Sequence, residues 1–196
     1  YEGEAHAHDH ESEEKWANAG HSHTVDPHVW LDPVLAQTEV STIAEGLAEA
    51  DPDNAEDYLE NAGIYNGKLN ELDEAYRAAF EGTENRTFVT QHAAFAYLAA
   101  RYDLNQISVT GLNAEVEPSA AALATLSDYV KANNISHIYF ENNASSQTAE
   151  TLAEEVGVEL AVLSPLEGIT EEDQKKGSDY ISVMLDNLEA LKKSIN

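Results

Sequence analysis

Cysteine is absent from all 196 residues, and this absence limits the kinds of site that the chain can build. Without thiols there are no disulfides and no thiolate ligands, so a transition-metal site must use His, Asp or Glu. No apolar run approaches the roughly 18 residues of a membrane span, and no signal peptide is present. Because the chain begins at Tyr1 inside a polar stretch, we interpret it as a fragment or a processed product. The missing signal therefore does not argue against export.

Basic residues are scarce, since 10 Lys and Arg stand against 37 Asp and Glu and the net charge is -27. This balance excludes nucleic acid as a partner, because phosphate contacts need Lys and Arg. An acidic surface suits cations, and it also suits a chain that must stay soluble in strong salt, where self-repulsion is screened. The composition thus predicts a halophilic, haloarchaeal source.

Several motifs of catalysis and nucleotide binding are also missing. No glycine-rich phosphate loop follows the first predicted strand, which disfavours a nucleotide ligand. There is no G-x-S-x-G nucleophile motif and no H-E-x-x-H zinc-hydrolase pair. These absences weaken an enzymatic interpretation.

Histidine is concentrated at the start of the chain, where six of the eight histidines lie within the first 28 residues. Residues 1–25 are acidic and lack apolar periodicity, so we predict a flexible loop. Histidines at alternate positions in an acidic loop favour weak, exchangeable metal capture, and the alternative is a solvated loop in which histidine is incidental. The candidates for this capture are His6, His8, His10, His21 and His23.

His28 differs from the loop histidines because it lies between two Asp-Pro pairs, Asp26-Pro27 and Asp32-Pro33. Each proline fixes its own φ angle and pushes the preceding aspartate toward an extended conformation. A histidine held on such a stiff segment loses little entropy on binding, which suits a metal ligand. The alternative is a buried histidine in a turn, and the many histidines upstream favour the ligand.

Two helices are predicted after this segment. Asp32 and Pro33 form a start signal for a helix that reaches about Ala50. Asp51-Pro52 repeats the signal, and an apolar seam from Tyr58 to Ala79 then predicts one helix of about 30 residues, roughly 45 Å long. Gly63 and Gly67 argue for a break, but the seam keeps its phase through both. A helix of this length suggests a strut between lobes.

Strands and helices alternate after residue 82, which predicts an α/β lobe with a four-stranded parallel sheet flanked by helices. The predicted strands are Thr87–Gln91, Gln106–Val109, His137–Glu141 and Glu159–Leu163. The predicted helices are Ala93–Tyr102, Ser119–Asn133, Ser146–Val156 and Asp179–Ser194. The predicted organisation is therefore a loop at 1–25, the remainder of a first lobe at 26–50, a linker helix at 51–81 and a C-terminal metal-binding lobe at 82–196.

Ligands of parallel sheets bind at the carboxyl ends of the strands, where His92, Glu141 and the Ser164-Pro165 turn emerge. His92 is a candidate ligand, and its alternative is a helix-start residue bonded to a backbone carbonyl. Glu141 is open to three roles: a ligand, a helix-capping acceptor, or a brace to a backbone amide, which we prefer. His137 begins a strand far from this edge and is interpreted as structural.

Six stretches resemble, in the right order, the metal-binding lipoproteins of zinc and manganese ABC importers. They are Asp26–Pro33 (D-P-H-V-W-L-D-P), Thr90–Leu98, Glu117–Ser119, His137–Glu141, Leu163–Gly168 and Tyr180–Leu188. A His- and acid-rich loop before the first motif is typical of the zinc-uptake subgroup. The resemblance implies two α/β lobes joined by a long helix, with the metal between them. It also implies that most of the first lobe, with one ligand histidine, lies outside this chain.

The resemblance implies His28, His92 and a carboxylate near the C-terminus as ligands of Zn²⁺, with Mn²⁺ as the alternative metal. Asp179 is our candidate carboxylate, although Ser178-Asp179-Tyr180 is shifted by one residue from the family pattern, and water is the alternative. Glu141 would not bind the metal itself but would orient a ligand histidine through a hydrogen bond to its other ring nitrogen.

The implied function is that of a solute-binding protein, not an enzyme, which captures Zn²⁺ and delivers it to an ABC importer permease. It would lie outside the cytoplasm at the cell surface, lipid-anchored through an upstream segment. One alternative is a zinc-dependent hydrolase with Glu141 as general base. Another is a metal-buffering or adhesive surface protein.

Overall fold

The computed structural model describes residues 25–112, 119–133, 135–141, 150, 153–155 and 157–196. The first helix, α1, spans Pro33–Ala50 and starts as predicted, because the Asp32 side chain accepts hydrogen bonds from the backbone of Val34 and Leu35. A short 3-10 turn at Pro52–Asn54 separates α1 from α2, which spans Ala55–Phe80. Gly63 and Gly67 lie on exposed positions of α2 without breaking it. The predicted single long helix is therefore confirmed, at 26 residues.

The predicted four-stranded parallel sheet is also confirmed. Its strands are β1 (Thr87–Thr90), β2 (Asn105–Ser108), β3 (His137–Phe140) and β4 (Glu159–Val162), in the spatial order β2-β1-β3-β4. Thr90 pairs with Ser108 on one side and with Tyr139 on the other. The strand order reverses between β1 and β3, and such a reversal opens a crevice at the carboxyl ends of the strands.

Helices cover both faces of the sheet, because successive strand residues point to opposite sides. The larger core lies on the side of α2, α3 (Ala96–Arg101) and the last helix, with Phe88 and Tyr139 at its centre. The smaller core packs α4 (Ala120–Ala132) against Val89 and Ile138. Two further helices, α5 (Glu171–Lys176) and α6 (Tyr180–Leu191), close the chain.

Some boundaries differ from the prediction. Residues 91–95 form bends and turns, so α3 begins at Ala96 and not at Ala93. The last helix begins at Tyr180, with Asp179 as its N-cap, and ends at Leu191. Helix α5 was not predicted, and most of the helix expected at 146–156 lies outside the described residues. None of the described helices combines the length and apolar character of a membrane span.

Candidate metal centre

His28 is fixed by the segment that carries it. The Asp26 side chain accepts a hydrogen bond from the backbone N–H of His28 at 3.0 Å, and the same oxygen lies 2.7 Å from His28 Nδ1. One carboxylate therefore fixes both the backbone and the ring. With Nδ1 engaged, the lone pair of a neutral imidazole lies on Nε2, the form in which histidine binds a metal.

His92 lies in the bend that follows β1. Its backbone carbonyl accepts hydrogen bonds from Thr90 Oγ1 at 2.7 Å and from Gln106 Nε2 at 3.1 Å. Its Nδ1 is paired with Glu141, which is buried at the end of β3. This pair spans the crevice between β1 and β3, and it leaves His92 Nε2 directed away from the carboxylate that supports the ring.

Glu167 lies in the loop between β4 and α5. Asn187 on α6 holds the start of this loop, because its amide oxygen accepts from Ser164 N and its nitrogen donates to Ser164 O, both at 2.8 Å. Leu166, just before Glu167, has a φ angle of +54°, a left-handed conformation that costs a non-glycine residue free energy. The Glu167 side chain is 39% exposed, so this part of the site faces solvent.

The two imidazoles and Glu167 converge. Glu167 Oε1 lies 3.1 Å from His28 Nε2 and 3.9 Å from His92 Nε2, and the three ligand atoms lie within 4.8 Å of one another. Both histidines are 1% exposed. Four ligands at zinc distances of about 2.0–2.1 Å stand roughly 3.3 Å apart in a tetrahedron. The 3.1 Å distance is already close to that spacing, whereas the 3.9 Å distance must shorten to match it.

An unpaired polar atom indicates where a ligand belongs. Within the described part of the chain, His92 Nε2 is buried and has no hydrogen-bond partner. A buried polar atom without a partner is costly, and such atoms are rare outside functional sites. A metal bonded to His92 Nε2 would remove this cost.

The charges of the site also favour a cation. Two imidazoles are contacted by three carboxylates, those of Asp26, Glu141 and Glu167. Taking carboxylates out of water is unfavourable unless positive charge compensates them. A divalent cation bound by His28, His92 and Glu167 would provide that compensation.

The structure brings together His28 and His92, and the Glu141 carboxylate contacts the His92 imidazole from the side away from His92 Nε2. It does not bring Asp179 to this cluster, which among the described residues consists of His28, His92 and Glu167. The Asp179 carboxylate instead accepts the backbone N–H of Ser182 at 2.8 Å and caps α6. Hydrogen bonds from Ser182 lower the pKa of Asp179.

The remaining predicted residues lie elsewhere. His137, at the start of β3, stacks on Tyr139 and lies 3.4 Å from the exposed carboxylate of Glu159. The predicted capture histidines His6, His8, His10, His21 and His23 lie outside the described residues.

Sequence reasoning missed Glu167 as a candidate ligand and Asp26 as the partner of the His28 ring. A usable signal for Glu167 was present, since an acidic residue follows the Ser164-Pro165 turn at the carboxyl end of β4. The carboxylate expected near the C-terminus was predicted at Asp179, which caps α6.

Comparison with known proteins gives consistent matches to zinc-binding proteins. A zinc-binding protein AdcA from Streptococcus pyogenes is 51% identical over 193 residues, which cover 94% of this chain and 38% of that protein. The Zn(II)-bound ZnuA-like domain of Streptococcus pneumoniae AdcA matches with a TM-score of 0.76 and 51% identity, covering 86% of this chain and 63% of that one.

A third match is to the laminin-binding protein Lmb of Streptococcus agalactiae, described as a bifunctional protein with adhesin and metal transporting activity. Its TM-score is 0.79 at 36% identity, with 86% of this chain and 64% of that one covered. The chain thus spans only part of the length of its relatives. Over residues 1–194 the sequence matches the family described as zinc-uptake complex component A, periplasmic, and the chain belongs to that family.

Proposed function

We propose that this chain binds Zn²⁺ through His28, His92 and Glu167 and serves as the solute-binding component of a zinc importer. The observation that carries the proposal is the matched pair of imidazoles, each with Nδ1 on a carboxylate and Nε2 directed toward Glu167. Carboxylate–histidine–metal arrangements of this kind orient the ring and strengthen its donation to the metal. The names of the relatives, which are zinc-binding or zinc-uptake proteins, support the same metal.

The donor atoms favour Zn²⁺ over the alternative, Mn²⁺. Two imidazole nitrogens and a carboxylate oxygen form a zinc-like set, whereas Mn²⁺ prefers sites made mainly of oxygen atoms. A histidine from a first lobe, or water, would complete the tetrahedron. In this proposal the protein catalyses no reaction, because its role is to hold and release the ion.

The delivery partner in this proposal is the permease of an ABC importer, and the location is outside the cytoplasm, with a lipid anchor upstream. The acidic, His-rich residues 1–25 would raise the local zinc concentration near the site. Residues 26–50 would belong to a first lobe, 51–81 to the linker helix and 82–196 to the C-terminal lobe. The halophilic source stays a prediction from composition.

Competitive zinc titration of the full chain against a chromophoric chelator tests the metal site. His28→Ala and His92→Ala should each weaken zinc binding by more than about 100-fold, since loss of outer partners alone costs about 10–100-fold. His137→Ala is the matched control, because His137 lies at the opposite end of a strand and pairs with exposed Glu159. Parent-like affinity in both site variants would refute the assignment.

Adhesion is a second candidate function, favoured by the likeness to Lmb. Binding of the zinc-loaded and zinc-free chain to immobilised laminin tests it. An adhesive role predicts saturable binding that an excess of soluble laminin abolishes, and its absence in both forms would exclude laminin as a partner.

A further inference from the structure

Trp30 is the residue through which the His28 segment contacts the Glu167 loop. Its indole Nε1–H donates to the carbonyl oxygen of Pro165 at 2.9 Å, and Pro165 lies two residues before Glu167 in the chain. The Trp30 ring also packs against the His28 ring, with centroids 5.4 Å apart. The Trp30 side chain therefore contacts His28, one proposed ligand, and hydrogen-bonds to the loop that carries Glu167, another proposed ligand.

Trp30 is itself held from the opposite side. Its backbone carbonyl accepts a hydrogen bond from the Tyr180 hydroxyl at 2.6 Å, and Leu31 beside it is fully buried in the larger core. Since Tyr180 begins α6, the indole is fixed relative to the helix that also supplies Asn187 to Ser164. The hydrogen bonds that Asn187 and Trp30 make to the Glu167 loop are thus both anchored to α6.

The loop needs such restraints because its backbone is strained where it turns toward the site. Leu166 has a φ angle of +54°, which an L-residue adopts only when its surroundings impose it. Asn187 fixes the loop at Ser164, and the Trp30 indole fixes it at Pro165, immediately before the strained residue. Without the indole bond, the left-handed conformation of Leu166 would be less stable. The partly exposed Glu167 would then move away from the imidazoles.

We propose that the Trp30 indole N–H is a positioning group for Glu167, and that it slows the release of zinc by holding the Glu167 loop against the His28 segment. This inference rests on the proposed function. It concerns the dissociation rate more than the association rate, because His28 and His92 are held by their own carboxylates whether or not the loop is in place.

The test compares zinc release from the full chain, measured by stopped flow with excess chromophoric chelator. Trp30→Phe removes the donor but keeps an aromatic ring, and it should release zinc about tenfold faster, the lower end of the effect of lost outer partners. Tyr76→Phe is the control, since it also removes one hydrogen bond to a backbone carbonyl, that of Met184, and leaves the Trp30–Pro165 bond in place. Its release rate should equal that of the parent.

A double-mutant cycle separates positioning from general destabilisation. In a Glu167→Ala background, Trp30→Phe should change the release rate by less than about twofold, because the group it positions is gone. An equal acceleration in both backgrounds, or parent-like release from Trp30→Phe, would overturn the proposal. If Trp30→Phe does not fold, benzothienylalanine at position 30 removes only the N–H and keeps the ring size, and the same outcomes apply to it.

Failure of the proposed function looks different. In that case the parent chain would bind no zinc, or Glu167→Ala and His28→Ala would both release zinc at the parent rate. The positioning role fails alone when those two variants release zinc faster and Trp30→Phe does not.

Discussion

Replacing Glu141 tests how much of the proposed zinc affinity depends on the carboxylate behind His92. Glu141 is buried and contacts Nδ1 of His92, so bulk solvent has little access to this position. Glu141→Gln keeps the shape and retains an amide oxygen that accepts from Nδ1–H, and it removes only the charge. Glu141→Ala removes the partner altogether and leaves Nδ1 of the buried ring unsatisfied.

The size of each effect follows from the hydrogen bond that is changed. A hydrogen bond to a charged group contributes about 1.5–3 kcal/mol and a neutral one about 0.5–1.5 kcal/mol. The Gln variant therefore loses about 1–1.5 kcal/mol, which is roughly tenfold in affinity. The Ala variant also frees the ring to rotate or to move its proton to Nε2, so we expect about 100-fold, the upper end for outer partners.

Asp26→Asn provides a comparison within the same site. Asp26 supports His28 as Glu141 supports His92, but its side chain is 19% exposed against 4% for Glu141. Water can partly replace a carboxylate at that position, so the loss should be smaller than for Glu141→Gln. Glu159→Gln is the control outside the site, since Glu159 is 84% exposed beside His137 and its replacement should leave zinc affinity unchanged.

The assay is chelator competition at constant pH and ionic strength, with the absorption spectrum of bound Co²⁺ as a report on coordination geometry. A parent-like dissociation constant for Glu141→Ala would refute the reasoning, because it would show that the orientation of His92 does not depend on Glu141. Equal losses of zinc affinity for Glu141→Gln and Glu159→Gln would also refute it. They would show that the effect comes from long-range electrostatics and not from the specific contact with His92.

Two further predictions concern residues outside the cluster. Asp179→Ala should cost about 1 kcal/mol of stability through loss of the α6 cap and leave zinc affinity unchanged. Because the pKa of Asp179 is lowered, its contribution is complete above the ordinary carboxyl range and is lost as the pH falls through the lowered pKa, so urea denaturation should show the difference from the parent shrinking in acid. Arg101→Met removes the guanidinium that contacts both oxygens of buried Asp32, and urea denaturation should show a loss of about 2–3 kcal/mol. Lys175→Met, on an exposed ion pair, should cost no more than about 1 kcal/mol.

Much of the fold could be predicted because it follows from local sequence patterns. The Asp-Pro start signal of α1 and the apolar seam of α2 depend only on neighbouring residues, and both helices formed as expected. The bend at residues 91–95 could not be predicted in this way. It depends on Gln106, 14 positions further along the chain, which donates to the carbonyl of His92.

The site was less predictable than the fold. His28 could be proposed because flanking prolines stiffen its segment, whereas the Glu167 loop is hydrogen-bonded to residues distant in sequence, Trp30 and Asn187. For Asp179, the local sequence is typical of a helix N-cap, because Ser182 follows it by three residues. In the structure the two side chains form a reciprocal capping box. Position near the C-terminus was a weaker guide than this short-range pairing.

The three proposed ligands are not preorganised to the same degree, and this difference bears on how the proposed zinc-binding component would hold and release its ion. The two imidazoles are buried and oriented by carboxylates, so little conformational entropy remains for them to lose on binding. Glu167 is partly exposed and follows a strained residue, so its placement depends on the surrounding contacts. Withdrawal of one carboxylate would leave a two-histidine site that binds zinc more weakly, without any rearrangement of the sheet. Under the proposed function, release would require movement of this loop alone, and the affinity of the remaining two-histidine site would depend on Asp26 and Glu141.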